Sequence, residues 1–320
     1  MPRKVRVLTT SFSGPRERTV AANRELAGEF VEAAGAEGAD LVCLPETFVE
    51  VGLPRDQRPV AEPIPGPTFD ALATLAARHA VWIVAPFSVR TETGAVENSA
   101  VVIDRRGRLA GRYAKVHPTI GECEARAIAP GEAAAEAVVE TDFGRLGLAI
   151  CYDIGWPEHW GRLKDAGAEL VVWPSAYDGG FPLQAYAWTH GYFVVSAVQT
   201  EHAKVIGPTG RVLAATSRWH RLAATTIDLE QELFHIDDQV DKLYALQREF
   251  GRRVTVEALT EEHVFTLESN DPAWPVARLK ERFGLENFRD YHARAAGVQD
   301  RHRHRARTAT PASAPAAVGV

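Results

Sequence analysis

The stretch LGLAICYDIGWPEHW, residues 146–160, decides how this chain is read. An apolar run of strand type stops at Cys151. Two polar residues, Tyr152 and Asp153, follow, and Trp156-Pro157-Glu158 has the composition of a helix start, proline being favoured in the first turn. A buried strand that ends on a thiol and turns into a helix puts that thiol where open α/β sheets place their ligands, beyond the carboxyl ends of the strands. Free backbone N–H groups at a helix start favour a thiolate.

Outward from that point the chain alternates. Residues 4–9 (KVRVLT), 40–45 (DLVCLP) and 81–89 (VWIVAPFSV) read as strands, and residues 16–36 and 67–80 carry the 3.6-residue apolar spacing of helices. Residues 98–104 with 109–115, and 137–141 with 146–151, read as hairpins around the turns RRGR and DFGR. A helix near 158–166, a strand at 170–173, a helix at 181–190 and strands at 193–199, 211–215 and 223–228 complete the series. Helices and alternating strands in this order are satisfied by an α/β fold in which two sheets stack and helices cover them. No linker divides residues 1–234, so they form one domain. Residues 235–299 shift to charged amphipathic segments such as VDKLYALQREF (240–250), an expected helical extension for docking or oligomer contacts. Residues 300–320, RHRHRARTATPASAPAAVGV after Asp300, lack large apolar groups and are expected to be a disordered, solvated tail.

Bulk properties exclude several classes. Of 320 residues 46% are hydrophobic and the formal net charge is −6, which argues against a general nucleic-acid binder. Three cysteines make no disulfide framework and suit a reducing cytoplasm. The first residues run straight into a strand pattern with neither a secretory signal nor a membrane span. Cys43, Cys123 and Cys151 have no zinc-ligand spacing, and no phosphate-binding glycine loop is present, so no metal and no cofactor is expected.

Three strand ends carry reactive groups: Glu46 after DLVCLP, Lys115 at the close of GRYAKVHP, and Cys151. Together they make chemical sense. A thiol needs a base, which Glu46 supplies before returning the proton to a leaving amine. Lys115 supplies fixed positive charge for an oxyanion. The reaction is acyl transfer through a thioester. His117 and His159 offer a competing cysteine–histidine pairing, and a catalytically silent scaffold is the non-enzymatic alternative.

The set LPE (44–46), YAKVHP (113–118) and CYDIGWPE (151–158) resembles the nitrilase superfamily of carbon–nitrogen hydrolases over residues 4–230, closest to its amidase-like members. The resemblance implies an α-β-β-α sandwich of two mixed sheets flanked by helices, assembly into a homodimer or higher homo-oligomer, and a Glu46–Lys115–Cys151 triad. It further implies a second glutamate, Glu122, with Glu124 a weaker candidate, and the backbone N–H of Tyr152 as an oxyanion donor. Residues Trp156, Ser175, Ala176, Tyr177 and Trp188 are the implied pocket walls, with Trp173 read as core. The expected substrate is a small linear amide. A nitrile or an N-carbamoyl amide is the alternative, the latter disfavoured because Gly155-Trp156 stand where many amide-hydrolysing members carry Arg-Phe. Arg126 is the substitute considered for that arginine.

Overall fold

A computed structural model describes residues 3–13, 18–132 and 137–308, with side chains to 305. Its chain falls into two compact units, Arg3–Leu229 and a second one from Glu230 onward.

The first unit opens with β1 (Lys4–Thr10), α1 (Val20–Ala36), β2 (Leu41–Cys43), α2 (Pro67–His79), β3 (Trp82–Arg90), β4 (Val96–Ile103) and β5 (Leu109–Ala114). Then come α3 (Ile120–Arg126), β6 (Val138–Glu140), β7 (Arg145–Leu148), α4 (Pro157–Asp165), β8 (Leu170–Ser175), α5 (Phe181–His190), β9 (Phe193–Val198), β10 (Lys204–Ile206), β11 (Val212–Ala215) and β12 (Leu222–Asp228). Two six-stranded sheets result, ordered β12-β1-β2-β3-β4-β5 and β11-β10-β9-β8-β7-β6. Both are mixed: β1-β2-β3 and β7-β8-β9 pair in parallel, and the outer strands pair antiparallel.

Strand alternation sorts side chains between two cores. On the first sheet Leu8, Ile83, Ala85, Val101 and Ile103 face α1 and α2, packing with Phe30, Val31, Leu72 and Ala76. Their neighbours Val5, Val7, Val84, Ala100 and Val102 join the core shared with the second sheet, α4 and α5. Thus the expected helix–sheet–sheet–helix layering is what the alternating pattern encodes. The sheets meet where Thr9 Oγ1 donates to Ser196 O and Phe12 N donates to Val198 O at 2.9 Å.

Several boundaries differ from expectation. Helix α1 begins at Val20, capped by Thr19, whose side chain accepts the Ala22 N–H at 3.1 Å. Glu122 lies on α3, a short helix for which no element was expected, its start closed by a reciprocal Thr119–Glu122 capping box. Strand β10 is three residues long, too short to show a period.

The second unit is not simply helical. It holds β13 (Glu232–His235), α6 (Val240–Phe250), β14 (Val254–Leu259), β15 (Val264–Ser269), α7 (Val276–Phe283) and α8 (Phe288–Thr308). The strands form an antiparallel sheet ordered β13-β15-β14, packed with α6 and α7 around Phe234, Leu246, Phe265, Leu267 and Leu279. The alternation in VTVEAL and VFTLES, separated by a four-residue turn, produces the hairpin that the charged composition concealed. The unit begins at Glu230, five residues before the expected boundary. Residues 300–308, expected to be disordered, continue α8; residues 309–320 lie outside the described residues. Among the described residues no helix is long and apolar enough to cross a membrane.

Candidate active site

Glu46 follows β2, Lys115 follows β5 and Cys151 follows β7, and all three are buried. Lys115 Nζ, 1% exposed, donates to Glu46 Oε1 and to Glu122 Oε2, each at 2.8 Å. Two carboxylates therefore clasp one ammonium. Burial works against the charge on Lys115, but Glu46, Cys151 and Glu122 outweigh it and hold the ammonium above the usual lysine range. Burial likewise opposes charge on Glu122, yet Lys115, the Thr119 N–H at 2.8 Å and Asn98 keep its carboxyl below the usual range.

Asn98 was not anticipated. Its Nδ2 donates to Glu46 Oε1 at 2.8 Å and to Glu122 Oε1 at 3.0 Å, bridging both carboxylates from β4. An asparagine inside an apolar strand is the signal that could have found it, because Asn is depleted from strands unless its amide has a task. The second sheet closes the other side of Glu46. Ala176 N–H, just past β8, donates to Glu46 Oε2 at 3.0 Å, and Gln199 Nε2 donates to Glu46 O at 2.6 Å.

Cys151 opens a tight turn, Cys151–Gly155, with φ +46°. Left-handed backbone is costly for a residue with a Cβ, and such strain is stored where function requires it. The thiol lies in electrostatic reach of Glu46 and Lys115 and in hydrogen-bonding reach of Ser175 and the Ala176 N–H. Burial dominates and, helped by the Glu46 charge, pushes the thiol up to about 12 against the pull of Lys115, Ser175 and Ala176. The expected position at a helix start is not found: α4 begins only at Pro157, and Cys151 heads a short turn instead. Burial works against a thiolate there.

Asp153 locks this turn and was noted in the sequence only as part of a polar pair. It is fully buried. Its carboxylate accepts from Ile150 N–H at 2.8 Å, Tyr113 Oη at 2.8 Å, His117 N–H at 3.0 Å and His117 Nδ1 at 2.8 Å. One carboxylate thus ties the Cys151 turn to the segment bearing Lys115. The same bonds engage His117, whose ring stacks on Trp156 at 3.9 Å. His159 Nε2 donates to Leu148 O at 3.1 Å. Both histidines are committed elsewhere, which removes the structural basis for a cysteine–histidine pair.

The wall residues divide. Ser175 and Ala176 join the cluster. Tyr177 stands edge-on to Trp173 at 5.5 Å, and burial with the charges of Cys151 and Glu46 pushes its phenol up to about 12, which places it beside the thiol. Trp156 stands edge-on to Tyr152 at 5.1 Å. Trp188, on α5, meets the Gly210 turn, its Cβ 3.7 Å from where a Cβ on Gly210 would stand. Trp173 is core as read, yet its Nε1 donates to Cys151 O at 2.9 Å and holds the turn from beneath. Cys43 is buried and Cys123 exposed. Among the described residues no group of His, Cys, Asp and Glu is arranged to hold a metal ion.

Comparison with known proteins agrees with this fold. A carbon–nitrogen hydrolase family model matches residues 9–232. A deaminated glutathione amidase of Synechocystis is 31% identical over 233 residues, covering 64% of this chain and 86% of that protein. The human deaminated glutathione amidase is 30% identical over 237 residues, covering 65% and 72%. Among solved structures, Saccharomyces cerevisiae Nit3, of branch 10 of the nitrilase superfamily, aligns with a TM-score of 0.62 at 21% identity over 78% of this chain and 94% of its own. An amidase from Nesterenkonia sp. aligns with a TM-score of 0.61 at 22% identity over 75% and 95%. With its two stacked sheets and this extent of matching, the chain belongs to the carbon–nitrogen hydrolase family and hydrolyses carbon–nitrogen bonds other than peptide bonds.

Proposed function

We propose that the protein is an amidase that converts a small linear amide to a carboxylic acid and ammonia or an amine through a thioester on Cys151. The observation that carries this reading is the Glu46 carboxylate, held by Lys115 and Ala176 N–H beside a protonated, buried thiol. Glu46 removes the thiol proton as sulfur attacks the carbonyl carbon. Lys115 Nζ and the Tyr152 N–H stabilise the oxyanion. The C–N bond breaks as Glu46 passes its proton to the leaving nitrogen. Water then attacks the thioester, with Glu46 taking its proton and returning it to sulfur. Glu122 keeps Lys115 charged and fixed. The relatives named for deaminated glutathione support a small-molecule amide as the substrate class.

The test is intact mass spectrometry after incubation with paired amides and nitriles. An acyl adduct on Cys151 from the amide supports the proposal. Acid formed only from nitriles shifts the assignment to nitrilase chemistry, and no adduct with either sinks it. Three free cysteines support a reducing cytoplasm, and the half-exposed Tyr244 and Val240 of α6 support a homo-oligomer; light scattering of the purified protein checks the latter.

A further inference from the structure

Once Glu46 has taken the proton of Cys151, the sulfur carries negative charge in a buried place, and such a charge needs donors. Three observations bring Ser175 to it. Strands β7 and β8 run parallel with Leu148 opposite Val172, and three residues further along each chain stand Cys151 and Ser175. Adjacent strands lie about 4.8 Å apart, so the two side chains start from neighbouring backbone. Trp173 and Ser175 are two apart on β8 and project from the same face, and Trp173 Nε1 reaches Cys151 O at 2.9 Å. The Ser175 side chain itself stands in hydrogen-bonding reach of the Cys151 thiol.

Ser175 is fully buried. Its carbonyl accepts the Gln199 N–H at 3.0 Å, and its Oγ accepts the Tyr177 N–H at 3.1 Å. Among the described residues Oγ donates to no oxygen, so its proton is left for the sulfur. A serine hydroxyl is a donor as well as an acceptor, and a donor buried without a partner is costly. Alanine would close the apolar strand LVVWPS without that cost. Ala176 N–H, the next donor along, bonds Glu46 Oε2 at 3.0 Å and also lies in reach of the sulfur. One N–H therefore faces both base and nucleophile, and it stays in place as negative charge passes from carboxylate to sulfur.

We propose that Ser175 is a further catalytic residue, its hydroxyl donating to Cys151 Sγ as the thiol proton passes to Glu46. The S–H electron pair stays on sulfur, held by the Ser175 hydroxyl and the Ala176 N–H, until it forms the bond to the carbonyl carbon. When water later breaks the thioester, the same donors receive the sulfur as it leaves with that pair. Donors fixed by the strand beforehand need no reorganisation as the charge moves. This rests on the amidase reading above and takes Ser175 from the pocket wall, where the resemblance put it, to the reacting atom.

The test is alkylation of Cys151 by iodoacetamide at mildly alkaline pH, with no substrate present, in the intact wild-type protein, Ser175→Ala and Ser175→Thr. Peptide mass spectrometry separates the Cys151 adduct from that of the exposed Cys123. Ser175→Ala should react about 3- to 10-fold more slowly, because fewer thiolates form and the greater nucleophilicity of those that remain offsets only part of the loss. Ser175→Thr, which keeps the hydroxyl, should recover most of the rate. The direction separates this role from a structural one, since a wall loosened by loss of the Tyr177 bond would expose the thiol and speed its alkylation. An unchanged or faster rate in Ser175→Ala overturns the proposal. In turnover, Ser175→Ala should lower kcat about 10- to 100-fold with KM within about threefold, and a kcat within about twofold of wild type likewise overturns it. Turnover of amides by the wild-type protein is measured separately. Its absence counts against the amidase reading, whereas alkylation is read without substrate, so the two ideas fail independently.

Discussion

Cys43 and Cys151 are both buried thiols at the downstream end of a strand paired in parallel with a neighbour, one in each sheet. Around Cys43 only burial acts, and it raises the thiol well beyond the ordinary range. Around Cys151 burial also dominates, but Lys115, Ser175 and the Ala176 N–H pull back. The backbone differs as well: Cys43 continues its strand, while Cys151 leaves it at φ +46°. A buried cysteine is thus a core residue by default. What sets Cys151 apart is the turn that takes it out of the ladder and brings Glu46, Lys115, Ser175 and the Ala176 N–H around it.

The strongest way to break this comparison is replacement of each thiol in turn. Cys151→Ala should lower turnover by about 10⁴ or more with the fold retained. Cys43→Ala should cost about 1 kcal/mol of stability and leave turnover within a few-fold. Equal losses from both would erase the distinction. Next in size is Lys115→Met, which leaves Glu46 and Glu122 facing each other without their cation. Urea denaturation at neutral pH should report a loss of about 3–5 kcal/mol, part of it recovered at lower pH as one of the two facing carboxylates takes up a proton.

Asp153→Asn should lose about 1.5–3 kcal/mol, because an amide cannot accept at every position where the carboxylate now does. It should lower kcat more than it raises KM. This substitution also sharpens the pH behaviour. Burial opposes charge on Asp153, but His117, His159, Ile150 N–H and Tyr113 hold its carboxyl below the ordinary value. Its stabilisation is therefore present above its unfolded value of about 3.9 and is lost as pH falls through the lower folded value. Thermal denaturation between pH 2.5 and 6 should show a shallower acid limb in Asp153→Asn than in the wild type. The smallest effect is expected from Trp173→Phe, which removes the bond to Cys151 O: about 1 kcal/mol, and a fall in kcat of less than tenfold.

The α/β sandwich was legible because each strand alternates or runs apolar to a sharp end, and those ends carried Glu46, Lys115 and Cys151. Legibility failed where the information is not local. Asn98 and Asp153 are ordinary polar residues in sequence, and their importance comes from partners 24 to 52 and 36 to 40 positions away. Glu50 drew no notice because nothing nearby in sequence predicts its burial against Ser88 of β3. In the second unit, β14 and β15 were hidden by surface charges on a small sheet, where alternation survives but composition reads as helix.

One consequence follows from the way Glu46 is gripped by residues from both sheets, Lys115 and Asn98 on one side and Ala176 and Gln199 on the other. A chain with its helices and strands already formed but its two halves not yet stacked has a bare thiol and no proton acceptor. Recovery of turnover after dilution from denaturant should therefore lag behind recovery of circular dichroism, and the delay times the closing of one half on the other.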